Sequence, residues 1–180
     1  MKIIDMRDAI VDTVRDKVGD AVQVFKHGGT FDLAQINRYA AKAPAVVVSL
    51  LAMRDYSIEG TERVADLRWI MMVITKSRPN EERDEKLLAI LEILLHLIGD
   101  QRWGIDGVHR TTNINGANMF TAKVDAKGLA LWSLTWDQKT DMEGTFQGSL
   151  DDFITLSTKW DLDTSDGIDN DAEDTILPPQ

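Results

Sequence analysis

Residues 45–53 read AVVVSLLAM, apolar at odd and even positions alike and rich in β-branched side chains. A strand sends alternate side chains to opposite faces of its sheet, so a run that is apolar on both parities must be covered on both faces. The stretch therefore predicts a strand buried from above and below and central in its sheet. Residues 80–99, NEERDEKLLAILEILLHLIG, supply material for one covering layer. Leu87, Leu88, Leu91, Leu94, Leu95 and Ile98 form a wide apolar stripe at helical spacing. Asn80 is placed to cap this helix, Glu81 and Glu82 lie where the helix dipole favours acids, and Gly99 ends it. About 18 residues make about 27 Å of helix, enough to lie across a sheet.

The remaining elements follow from the same two periods. Ile3, Met6, Ile10, Val14 and Val18, with Val11 beside them, oppose Arg7, Asp8, Asp12, Arg15 and Asp16, which is the pattern of an amphipathic first helix stopped by Gly19. VQVFK at 22–26 reads as a short strand before the turn formers His27, Gly28 and Gly29. Asp32 can cap a short helix through Leu33, Ile36, Tyr39 and Ala40, which Pro44 ends. RDYSIEGTE at 54–62 reads as a polar connection. RVADLRWIMMVITK at 63–76 is a long strand, with Val64, Asp66 and Arg68 opposite Ala65, Leu67 and Trp69. Its exposed start and buried end predict a strand that projects past its neighbours. Strands are also expected at 108–114 and 128–138, the latter with Ala130, Trp132, Leu134 and Trp136 on one face; Asn115-Gly116 is a turn signal, and MFTAKV at 119–124 a possible extension of the sheet. Ile154, Leu156, Thr158, Trp160 and Leu162 share one parity in a final strand or extended arm. The order predicts an α/β (α+β) fold over 1–150, a mostly antiparallel sheet packed by the N-terminal helix and the long central helix. An extended C-terminal arm at 151–162 and an acidic flexible tail at 163–180 follow.

The net charge of −10 is concentrated at one end, because residues 151–180 hold nine acids and one Lys. The body is almost neutral, with its basic residues scattered, which argues against a nucleic-acid-binding stripe. No cysteine is present, so disulfides, thiolate metal sites and a Cys nucleophile are excluded. Asp5, Asp8, Asp12 and Asp16 interrupt what would have to be a signal core, and no uncharged run approaches a membrane span. A protein that stays in the cytoplasm where it is made, without membrane contact, is expected.

Chemistry-bearing patterns are sparse. His27, His96 and His109 stand far apart, without the four-residue spacing of a helical metal site; His96 reads as a side chain at the edge of the core. A nucleophile elbow, a phosphate loop and a dinucleotide fingerprint are missing, so neither catalysis nor a cofactor is expected. The acidic stretch from Asp161 to Asp171 invites a calcium-loop reading, but starting at Asp161 puts Asp166 where Gly should be and Ala172 where a bidentate Glu should be. The five tryptophans read mostly as core. Trp160, beyond the last core element, is the exception and a partner-contact candidate with Leu162, Ile154 and Leu156. Arg54 and Tyr56, in the polar connection, complete the candidate interface.

The run IDMRDAIVDTVRDKVGD, followed by VQVFKHGGTFDLAQINRYAAKAPAVVVSLLAM, resembles the N-terminal half of the Mu-like bacteriophage tail terminator (neck) proteins. Gly29, Phe31, Asp32, Pro44 and Ala45 carry the match in words over 1–53, and the order of elements extends it to about 136. The resemblance implies a lambda-type tail-terminator-like protomer in a homo-hexameric ring on the last disc of the tail tube. Such a ring stops polymerisation, offers a surface to the head connector and adjoins the sheath, and its expected location is the virion neck. DNA would pass through it without sequence-specific binding, and Glu59, Glu62 and Asp66 are the lumen-facing candidates. The alternatives are another neck, head-completion or baseplate component, or a calcium-binding module in the acidic tail.

Overall fold

The computed structural model describes residues 2–29, 33–59, 62–77, 83–119, 127–142, 156–160 and 172–176. The chain divides into two compact units, Met1–Gly144 and Thr145–Gln180.

In the first unit the chain runs α1 (Ile3–Val18), β1 (Gln23–Lys26), α2 (Leu33–Ala40), β2 (Ala45–Glu59), β3 (Glu62–Lys76), α3 (Arg83–Ile98), β4 (Val108–Asn118) and β5 (Leu129–Met142). The strands form one sheet in the order β1-β2-β3-β5-β4. Only β1 and β2 are parallel, with α2 as the crossover that parallel pairing requires; the other pairs are antiparallel. The fold is thus α+β, as the element order implies.

Helices α1 and α3 cover one face. Met6, Ile10, Val14, Leu87, Leu91 and Leu94 pack there on Val46, Val48, Leu67, Trp69 and Trp136. Helix α2 covers the other, where Tyr39 and Ala40 meet Val47, Met72, Ile74, Leu129 and Leu131. Val46, Val47 and Val48 are completely buried, which is the two-sided coverage demanded by AVVV. The middle strand of the five is β3, while β2 is interior only where β1 flanks it.

Gln138 ties the α3–β4 connection to the sheet. Fully buried, it accepts hydrogen bonds on Oε1 from Trp103 Nε1 at 2.8 Å and Trp136 Nε1 at 3.2 Å. Its Nε2 donates to the backbone oxygens of Gln101 at 2.8 Å and His109 at 2.7 Å. Every capacity of the buried amide is therefore used.

Several expectations are revised. The polar stretch 54–62 is mostly strand, since β2 runs to Glu59 and β3 starts at Glu62. Its described residues lie largely in solvent and a register shift falls between Arg54 and Ser57, which removes the apolar signal that marks a strand. For the same reason β3 does not project alone; β2 and β5 accompany it to the register row Ile58, Arg63 and Met142. Asn115-Gly116 lies within β4, opposite Thr135 and Leu134. A Cβ at Gly116 would come 3.3 Å from Leu134 Cδ2, so glycine fits close cross-strand packing there instead of a turn. On α3, Leu88 and Leu95 are exposed at 55% and 44%, because the apolar arc is wider than the sheet can cover. His96 also faces solvent. Asp32, Asn80, Glu81, Glu82 and residues 120–124 lie outside the described residues.

The second unit contains β6 (Leu156–Trp160) and β7 (Ala172–Ile176), paired antiparallel from Leu156↔Ile176 to Trp160↔Ala172. A segment read as acidic tail thus supplies a strand partner to the arm. Ile154, Leu162 and the calcium-loop register over 161–171 lie outside the described residues.

Candidate functional site

Helix α2 covers only part of its face of the sheet. Beyond Ile70 and Leu131 the strands continue, and among the described residues the side chains on that face change from apolar to charged. Direct register partners set Arg54, Asp66 and Lys139 in one row across β2, β3 and β5. A carboxylate flanked by two cations in adjacent strands is a favourable cross-strand arrangement. In the row beside it, Arg68 makes a bidentate ion pair with Asp137, with Nε to Oδ1 and Nη2 to Oδ2 both at 2.6 Å. Asn113 Nδ2 donates to the same carboxylate at 3.1 Å. The Arg68 hydrogen bonds hold the Asp137 carboxyl below its ordinary range against the opposing effect of burial, with further help from Asn113 and Arg54.

Along the same extension β2 has no outer strand neighbour among the described residues. Pairing with β1 stops at Lys26↔Val48, beyond which His27 N donates to Val48 O at 2.9 Å. Further on, Leu51, Met53, Tyr56 and Ile58 are 46%, 54%, 51% and 61% exposed. Register shifts fall at Leu50/Ala52 and Arg54/Ser57, and Asp55 has φ of 47°. Bulges of this kind twist an edge and limit indiscriminate pairing.

The candidate residues therefore separate into groups. Arg54 and Asp66 share a register row, and Glu59 is the register partner of Glu62. Tyr56 sits exposed in the second bulge. Leu156 and Trp160 are the first and last residues of β6 in the other unit. Sequence reading missed Leu51 and Met53 as surface residues, because a run apolar on both parities looks buried throughout. It also missed the Arg68–Asp137 pair, whose members stand in strands separated by α3 and β4. The alternating Asp66 and Arg68 were its one visible signal.

Chemical alternatives have little to build on among the described residues. No group of three or more His, Asp or Glu could hold a metal ion there, and no helix is long and apolar enough to cross a membrane. A concavity of about 360 Å³ lies between α1 and β1. Its charges already pair with one another, Lys26 with Asp8 at 3.1 Å and Arg15 with Asp12 at 2.6 Å. The Lys26 hydrogen bond also lowers the Asp8 carboxyl below its ordinary range.

These features define an α+β sheet protein that presents, among its described residues, a charged sheet face and a strand edge without an outer partner. The chain belongs to the Bacteriophage Mu Gp37 family, whose model matches residues 2–140, nearly the whole first unit. No curated protein matches the chain in sequence. Among solved structures it is similar to a chain of the virion of a native gene transfer agent particle, with TM-score 0.42 and 13% identity over 72% of this chain and 84% of that one. It is also similar to the sheath/tube terminator of an extracellular contractile injection system, PVC, in the extended state. That match has TM-score 0.41 and 11% identity, and covers 79% of this chain and 57% of the other.

Proposed function

We propose that the protein is a structural, non-catalytic tail component that forms a hexameric ring on the end of the phage tail tube. The ring stops tube polymerisation and presents a surface to the head connector, with the tail sheath beside it. The observation that carries this reading is membership of the Mu Gp37 family over residues 2–140. The resemblance of residues 1–53 to tail terminators gives that membership its functional direction. A bare strand edge supports the ring, since edges join subunits by strand addition. Tails assembled without the protein should show tubes of uncontrolled length by electron microscopy; tails of normal, uniform length would defeat the proposal.

In this reading the sheet extension bearing Glu59, Glu62 and Asp66 lines the lumen. The charges of that extension alternate, with Arg54 and Lys139 flanking Asp66, so the surface has no strong basic field. Passing DNA would meet few sites for phosphate capture. Replacing Glu62 and Asp66 together by Lys in the assembled ring should produce salt-sensitive DNA retention. Unchanged retention in a filter-binding assay at low salt would place these residues away from the lumen.

A further inference from the structure

We propose that the bare edge of β2 receives the β6–β7 hairpin of a second copy of this chain by strand addition. The proposal rests on the ring reading, and it identifies what joins one protomer to the next.

The receiving edge has a definite chemistry. Leu51, Met53, Tyr56 and Ile58 are exposed along a stretch for which no outer strand partner exists among the described residues. Unpaired backbone groups beside exposed apolar side chains form a template for another strand. Such an edge is tolerated in a soluble chain when assembly covers it.

The hairpin needs a third strand. Its two strands are five residues each and, among the described residues, pair only with each other, and an isolated two-stranded sheet is marginally stable in water. Leu156, Thr158 and Trp160 alternate with Ser157 and Lys159, the period-two pattern that a strand seated on a sheet edge requires. Hairpins are poor partners for one another, because residues 151–180 carry nine acids and one Lys and like charges across an interface oppose association.

Register and length permit the exchange. Met142, at the end of β5, stands in the row of Arg63 and Ile58, so the chain leaves the sheet at the end where the bare edge lies. Residues 143–155 separate β5 from β6 in sequence, and a chain of that length has an upper reach on the order of 40 Å.

The chain has no cysteine, which gives a clean background for a test. One population carries Met53→Cys and the other Thr158→Cys, and the two are mixed, allowed to assemble and oxidised. Disulfide-linked dimers should appear in the mixture and not in either population alone. Met53→Lys, at an exposed position, should raise the dissociation constant of the assembly roughly tenfold. A chain carrying both cysteines that closes only within itself would overturn the exchange. So would rings of full mass, measured on the intact assembly, that form without cross-links and persist after removal of 145–180. In that last case the ring reading survives; a chain that stays monomeric at assembly concentrations would defeat both.

Discussion

Replacing Gln138 by Leu should destabilise the protein by roughly 3–5 kcal/mol, an appreciable share of the roughly 5–15 kcal/mol that holds a typical domain folded. Leucine approximately matches the volume of glutamine and has no polar atom. The indole hydrogens of Trp103 and Trp136 would then lose their acceptor. The carbonyls of Gln101 and His109 would lose their donor. Each buried indole left unpaired costs about 1–3 kcal/mol, and the two part-buried carbonyls add a smaller loss because water can reach them. The check is denaturant unfolding followed by tryptophan fluorescence, with a large fall in midpoint and an unchanged slope expected. A loss under about 1 kcal/mol would mean that water replaces the amide without difficulty. Trp69 offers a contrast, because its indole nitrogen is buried without a partner among the described residues. Trp69→Phe removes that unsatisfied donor and should cost less than Trp136→Phe, although both rings are fully buried.

The legible and illegible parts of this fold differ in where their information lies. AVVV at 45–48 announced two-sided burial because local pattern and tertiary environment agree there, and all four side chains are fully buried. The α1 stripe succeeded for the same reason, with Met6, Ile10, Val11 and Val14 inside. The β2–β3 ribbon failed because its outer half is solvated, and a strand with water on its surface resembles a polar loop in composition. Asn115-Gly116 failed because the side-chain volume of Leu134, about twenty residues downstream, decides what that glycine is for. The candidate site was half visible. Arg54, Tyr56 and Asp66 were named from their exposed setting, whereas Leu51 and Met53 were hidden inside an apolar run. Which of two apolar neighbours meets a covering helix is a property of sheet length relative to helix length, and no short window records it.

Asp137→Ala should lower stability at neutral pH by about 1–3 kcal/mol, the range for hydrogen bonds that involve charged groups. The carboxylate takes both Arg68 bonds at 2.6 Å and the Asn113 bond, and its side chain is only 13% exposed. The predicted dependence on pH follows from the direction of its titration. Arg68 holds the folded-state pKa of Asp137 below the ordinary carboxylate value, so folding favours the ionised form. The corresponding stabilisation is complete above the unfolded-state pKa of about 3.9. It is lost as pH falls through the lower folded-state value. The stability gap between wild type and Asp137→Asn should therefore be constant from neutral pH down to about 5 and close progressively below about 4. Asparagine keeps the shape while removing the charge, so packing differences do not enter the pH dependence. A gap that instead closed between pH 6 and 8 would mean that a group other than Asp137 governs it. The same ion pair stiffens the sheet extension between the bare β2 edge and β4. Loss of the pair should accordingly weaken assembly in parallel with stability, whereas Met53→Lys should weaken assembly alone.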